Sequence, residues 1–314
     1  MNRRRAALPL ALAALLAALL VAVRHVQRAQ RAAYAAAPAA AAAEEAPAPR
    51  LVALSPGLTE TLCMLGLRPH LAGRTPWCDT PASVTNLPCV FDPSGAVDLE
   101  ALRAARPDFV LLPAPLADSP LHEALEKARI SHLAVKTDPL DDLLQGVYEL
   151  AVRFEATETA DAWLEHVAAV FARERERAAA AASAAGRAPR VLFVMGDAPD
   201  APGSVRVAAK QSWQGGVIEA VGAANAVTNE AVSAILPRTA VAGLDPDIVL
   251  EVRAGTDGSP AALDAALLAW AKAPFPALLA GHWHVLFGAW PLRPGPQVDR
   301  LAETLADHIL AWAR

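Results

Sequence analysis

With 314 residues, the chain is long enough for one or two domains with sizeable cores, and its formal charge of -5 is the wrong sign for a nucleic-acid partner. Its 54% hydrophobic content overstates core-forming power because much of it is alanine; aromatics are 5%, so each of the 7 Trp is informative. The three cysteines, Cys63, Cys78 and Cys89, match no zinc spacing and no Cys-x-x-Cys motif.

The N-terminus reads as a membrane element. Arg3, Arg4 and Arg5 precede an apolar run from Ala6 to Val23, which Arg24 ends. As a helix it spans roughly 27 Å, close to the hydrocarbon thickness of a bilayer. Arg24, His25, Gln27 and Arg28 follow where a cleavage site would stand, and small residues come only around 35–43. The pattern over 1–28 therefore favours an uncleaved signal-anchor over a signal sequence cleaved late. Residues 29–49, mostly Ala, Pro and Glu, cannot bury enough surface to fold alone and read as a tether.

From residue 50 the chain alternates strand and helix. Arg50 to Leu54 is an apolar strand broken by Ser55-Pro56-Gly57, and Thr59 to Leu65 is helical. Leu71 to Arg74 is a strand, and Asp98 is placed to cap a helix to Ala105 that Pro107 ends. Phe109 to Leu112, Leu121 to Arg129 and His132 to Val135 read as strand, helix and strand. Such alternation implies a mostly parallel sheet covered by helices.

Between 139 and 185 the only glycine is Gly146, and Leu143, Val147, Leu150, Phe154, Trp163, Val167 and Phe171 recur at helical spacing. The spacing predicts one long helix bridging two lobes, with 173–177 (Arg-Glu-Arg-Glu-Arg) on its solvated surface. Alternation then resumes: strand Arg190 to Met195, helix Trp213 to Val221, strand Ile248 to Glu251, helix Ala261 to Lys272, strand Val285 to Phe287 and helix Gln297 to Ala313. The expected fold is α/β: two Rossmann-like lobes, 50–138 and 186–314, joined by one long backbone helix over 139–185.

The catalytic motifs of common enzymes are missing: no Gly-x-Ser-x-Gly, Walker loop, Gly-x-Gly-x-x-Gly after a strand, or His-Glu-x-x-His. Asp141-Asp142 and Asp245/Asp247 read as helix-start and turn residues. His282 and His284 share one face of a strand and could meet one metal, but no third ligand is evident and a surface pair is the expectation. No cofactor and no metal are expected. Cys78 and Cys89 are near enough in sequence to pair, as would suit an oxidising compartment, but loop geometry decides it.

Several segments, in order, resemble the helical-backbone (class III) periplasmic solute-binding proteins, receptors for cobalamin, haem and ferric siderophores. They are Arg50-Leu-Val-Ala-Leu-Ser-Pro-Gly-Leu-Thr-Glu60, the Trp77-Cys-Asp-Thr-Pro81 loop, Val97-Asp-Leu-Glu-Ala-Leu-Arg-Ala-Ala-Arg-Pro-Asp-Phe-Val110, the helix from Trp213 to Asn225, Leu244-Asp-Pro-Asp-Ile-Val249, and Arg293-Pro-Gly-Pro-Gln297. The cobalamin-binding type is most similar, on the Trp77 loop and overall length.

The resemblance implies a ligand cleft between the lobes, small hinge motion, and ligand contacts from strand-end loops: Ser55, Pro56, Trp77, Trp213, Trp290 and Arg293. Trp77, in a polar Pro-rich loop, offers a flat face to a planar ligand. Glu100 matches a surface glutamate through which the family docks an arginine of its permease. The chain departs from the family at Thr239, where the second docking glutamate belongs, at Gln297, which replaces an arginine, and at Ala208 and Ala209, where glycine is usual. The function so implied is that of an extracytoplasmic, monomeric receptor for a cobalamin-like or other metal-chelate ligand, held at the membrane by its N-terminal helix and serving an ABC permease. The alternative is a tethered sensor or scavenger with no permease.

Overall fold

The computed structural model describes residues 49–255 and 258–314. The expected N-terminal helix and linker lie outside them. Among the described residues no helix is long and apolar enough to cross a membrane.

The first lobe is a four-stranded parallel sheet in the order β2-β1-β3-β4: β1 (Leu51–Ala53), β2 (Leu71–Gly73), β3 (Phe109–Pro113) and β4 (His132–Val135). The central strand β1 is buried on both faces, which is why it is apolar at every position. Helices α1 (Pro56–Met64), α2 (Leu99–Ala105) and α3 (Pro120–Lys127) cover the sheet. Ser55 starts α1: its hydroxyl accepts the Leu58 N–H at 3.2 Å, and Pro56 fills the first helical position, where no N–H is needed. Asp98 caps α2 through the N–H groups of Glu100 and Ala101.

The expected single backbone helix is two helices. α4 (Leu140–Arg153) ends at Phe154, Glu155 turns left-handed (φ 57°), and α5 (Thr157–Ala185) begins two residues later. No Gly or Pro marks the break, and both halves carry the apolar spacing, so periodicity alone runs through it. Nor is 173–177 simply a solvated face. Glu174 is fully buried and held by Arg173 (Nε to Oε1, 2.6 Å) and Arg177, whose outer ends pair with Glu303 and Asp307. These ion pairs dock α5 on the C-terminal helix.

The second lobe contains β5 (Arg190–Asp197), β6 (Ser204–Ala208), α6 (Trp213–Ala220), β7 (Ala224–Asn225), β8 (Ser233–Pro237), α7 (Arg238–Val241), β9 (Ile248–Arg253), α8 (Pro260–Ala269), α9 (Pro276–Leu279), β10 (Trp283–Phe287) and α10 (Val298–Trp312). Its sheet is mixed, in the order β10-β9-β5-β6-β8 with β7 beside β5; β10, β9 and β5 are parallel, and β6 runs antiparallel to both neighbours.

Both lobes use one closing device. Asp108 accepts the N–H of Arg50, ahead of β1, at 2.7 Å and returns its own N–H to the Arg50 carbonyl at 2.8 Å. Asp247 does the same with Arg190, the first residue of β5, at 2.7 and 2.8 Å. Each aspartate follows a proline, two residues after a left-handed residue, Arg106 or Asp245. The two Pro-Asp segments therefore hold the entry of each lobe's first strand.

The lobes share a core. One apolar cluster runs from Leu51, Leu58 and Leu62 through Leu143 and Val147 of α4 to Val191, Ile218, Leu301 and Ile309, and residues 49–314 form one compact unit. At its centre Gly57 abuts the Pro294 carbonyl so closely that an added Cβ would lie 2.1 Å from that oxygen. Gly57→Ala is therefore expected to force the loop away and to cost about 1–3 kcal/mol of stability, read by urea denaturation. A loss below about 0.5 kcal/mol, the range of neutral surface changes, would show that the seam yields freely.

Candidate functional site between the lobes

The carboxyl ends of the two sheets face one another. Gly57, just past β1, meets Pro294; Asp79, in the loop after β2, meets Arg293; and Asp138, past β4, accepts the N–H of Trp213 at 2.7 Å. In open α/β sheets this is where ligands bind.

Arg293 spans the seam. Its Nη1 donates to Glu60 Oε1 at 2.9 Å and Asp79 Oδ1 at 2.6 Å, and its Nη2 donates to Asp79 Oδ2 at 3.0 Å and the Trp77 carbonyl at 3.3 Å. Gln297 donates to the other oxygen of Glu60 at 2.6 Å. The guanidinium thus grips Asp79 through two parallel bonds and fixes the backbone of the Trp77 loop. The Arg293 hydrogen bond holds the Asp79 carboxyl below the usual carboxylate range, and the same bond raises the guanidinium pKa. Gln297 is too short and neutral to replace an arginine as a charge, but it completes this latch.

Trp77 stands 54% exposed, its ring edge-on to Phe91 at 5.4 Å between centroids. Its base is fixed by Arg293 while its indole is open to solvent, which suits a binding platform. Ser55 and Pro56 lie at the β1 end as the sequence suggests, but their observed work is capping. Trp290 is half-buried, with the Arg300 guanidinium 4.0 Å over its ring. Trp213 departs from the expectation: it is 2% exposed and packed in the shared core, because its own N–H is tied to Asp138 and α6 is drawn inward. Burial raises the Asp138 pKa to about 6. Glu100 is exposed on the first turn of α2, and Thr239 is exposed on α7.

The cysteines are all free. Cys78 is buried with its sulfur 3.1 Å from the hydroxyls of both Thr59 and Thr75, whereas Cys89 sits beside β2 with its thiol toward the Phe91 carbonyl. Their side chains serve different surroundings, so the candidate disulfide is not formed. His284 stacks on His308 (3.9 Å between ring centroids), and burial holds its pKa down to about 4.

One cluster has no counterpart among the sequence expectations. At the carboxyl end of the second sheet Asp197 pairs with Arg238 and with Arg253 (3.2 Å), and Arg253 continues to Glu251 at 2.5 Å. Glu251 is fully buried and accepts both the Trp270 and Trp283 indole N–H groups, at 2.7 and 2.8 Å. Its signal is present in the sequence: Glu251 and Arg253 interrupt an apolar strand at period two. Beside the latch lies an open depression of about 390 Å³, lined by Glu60, Cys63, Met64, Pro81, Pro296 and Gln297.

Two α/β lobes thus meet at a seam, with a solvent-open aromatic at their facing strand ends. A family model described as periplasmic binding protein matches residues 51–264. Similar solved structures include a periplasmic haem-binding protein from Pseudomonas aeruginosa (24% identity, TM-score 0.70, covering 84% of this chain and 93% of that one). Others are the periplasmic haem-binding protein RhuT from Roseiflexus sp. RS-1 (19%, 0.69, 85% and 100%) and the periplasmic vitamin B12-binding protein BtuF of Vibrio cholerae (18%, 0.64, 85% and 98%). At these identities the likeness is one of fold. No curated protein matches the chain. The chain belongs to the periplasmic binding protein family, whose members hold solutes and are not enzymes.

The latch sets a pH dependence. The folded Asp79 pKa lies below its ordinary value, so the stabilisation is full above the ordinary carboxylate range and is lost as pH falls through the depressed pKa. Acid titration of Trp fluorescence is expected to show a transition below about pH 4 that Asp79→Asn removes; the same transition in the variant would place its origin elsewhere.

Proposed function

We propose that the protein is the extracytoplasmic receptor of an ABC importer and binds cobalamin or a related metal chelate between its lobes. The observation that carries this reading is Trp77: an exposed indole whose backbone and neighbouring Asp79 are clamped by Arg293 of the opposite lobe. A large apolar ring held open to solvent loses free energy unless a partner covers it, and a planar or macrocyclic ligand fits its face.

The strand-end loops themselves favour a chelate whose metal is already coordinated. Stretches 54–57, 74–81, 113–119, 136–139, 197–203 and 288–297, which follow the strand ends, contain no His, Tyr or Met, and Cys78 is buried against two threonines; the soft donors near the latch are Cys63 and Met64, on the wall of the depression. Haem iron takes axial ligands of those kinds from protein, whereas a corrinoid or ferric siderophore needs none. The shared core favours small lobe movements, so recognition depends on loops already in place.

Glu100, exposed on the first lobe, is the proposed contact for a basic residue of the permease, and the apolar run at 6–23 the proposed membrane tether. Thr239, exposed where a second acidic contact is expected, supports the alternative of a tethered sensor or scavenger without a permease.

Titrating the full chain with cyanocobalamin, haemin and a ferric siderophore is expected to give saturable Trp quenching by the first or last. Trp77→Ala is expected to weaken binding by roughly tenfold, the loss of about 1.4 kcal/mol of contact. Quenching by haemin with a shifted Soret band would sink the preformed-chelate reading. Glu100→Arg is expected to abolish cellular uptake while ligand affinity stays the same; normal uptake in that variant would exclude docking through this residue.

A further inference from the structure

A second cluster lies on the first lobe, at the amino end of β4 and so at the sheet end opposite the strand-end loops. His122 and Glu126 are one helical turn apart on α3 and share a face. The chain leaves α3 through Arg129 (φ 55°) and returns so that His132, the first residue of β4, comes against that face. The imidazoles of His122 and His132 meet edge to face at 4.6 Å between centroids, and one ligand atom from each of the three residues lies within 4.8 Å of the others.

We propose that His122, Glu126 and His132 form a binding site for a zinc-class divalent transition-metal ion, separate from the interlobe surface. The hydrogen bonding points to this. His132 Nδ1 lies 3.0 Å from the Ile130 carbonyl, which holds the proton on Nδ1 and leaves the lone pair on Nε2. That Nε2 is 2.9 Å from His122 Nδ1, so in the neutral pair His122 donates and its own Nε2 carries a lone pair. The atom facing His122 Nε2 is Glu126 Oε1, 3.6 Å away, another acceptor. Two acceptors face one another, an arrangement that either a proton on His122 Nε2 or a metal cation resolves. Lys127 does not serve, because its ammonium is paired with Glu123 at 3.2 Å.

A metal ion satisfies the whole set. It takes lone pairs from both imidazoles and the carboxylate, in place of the His122–His132 hydrogen bond. The Ile130 carbonyl then acts as the outer partner that orients a ligating histidine. Two imidazoles and a carboxylate suit zinc or its neighbours rather than calcium or magnesium, which prefer oxygen donors throughout. Three protein ligands leave a fourth position to water, with ligand atoms roughly 3.3 Å apart around a tetrahedral ion. The observed ligand atoms, all within 4.8 Å of one another, are near that spacing. The bound ion would tie the exposed end of α3 to the edge strand of the first lobe.

Zinc chloride titrated into the metal-stripped full chain by calorimetry is expected to bind at one equivalent and to raise the melting temperature. Cobalt(II) is expected to give the visible absorption of a tetrahedral nitrogen–oxygen site. His132→Ala is expected to lose both signals, and Glu126→Gln, an exposed and fold-neutral change, to weaken zinc by at least about tenfold. The cobalamin and siderophore response of Trp77 should be the same in these variants as in the parent, which separates this site from the interlobe one. No zinc binding by the parent chain, or unchanged zinc affinity in both variants, would overturn the proposal.

Discussion

The structure turns on one guanidinium. Arg293 belongs to the second lobe by sequence, yet two of its acceptors, Glu60 and Asp79, and the Trp77 carbonyl belong to the first. Its bidentate grip on Asp79 is partly solvated, so its Coulomb energy is modest. Its larger effect is geometric: together with the buried Cys78 and the Trp77–Phe91 contact it fixes the loop that presents Trp77 at the seam. Gly57 and Gly295 make this approach possible, since a Cβ on either would lie within 3 Å of the opposing backbone. The apolar cluster beneath is continuous across both lobes, so residues 49–314 form one compact unit built on two sheets.

The lobes are built on one plan and then diverge. The Pro-Asp device closes the first strand of each by the same pair of hydrogen bonds, at Asp108 with Arg50 and at Asp247 with Arg190. Around it the second lobe gains β6, which runs against the rest of its sheet, with β8 beyond it, and a chain of alternating charges, Arg238, Asp197, Arg253 and Glu251. That chain sums to zero, which lets Glu251 be fully buried beneath two indole N–H donors without an isolated charge.

Much of the architecture was legible because it rests on local rules. Apolar runs at β1, β3, β5 and β9 are strands buried on two faces, and Asp98 is a helix cap; the capping by Ser55 and the strand-closing bonds of the Pro-Asp segments came only with the structure. The break at Glu155 was not legible. A left-handed residue there needs neither Gly nor Pro, and the apolar spacing continues on both sides of it. The burial of Glu174 was hidden for a related reason: Arg-Glu-Arg-Glu-Arg has a solvated composition, and only the arrival of Glu303 and Asp307 on α10 lets the arginines shield the central carboxylate. Trp213 and Trp77 are the same residue type in similar turn-rich contexts, yet one is core and the other exposed.

By itself, the sequence determined the secondary-structure alternation, the two-lobed α/β plan and the loops that lie at strand ends, because these follow from periodicity, capping and turn chemistry within a few residues. Only the tertiary structure decided which of those loops meet. The partners of Arg293 are 214 and 233 residues away, His122 meets His132 only after a left-handed turn folds the chain back, and Cys78 lies between Thr59 and Thr75 as a free thiol. Contacts of that kind depend on the packing of whole sheets and helices, a long-range balance of excluded volume and burial that no local pattern encodes.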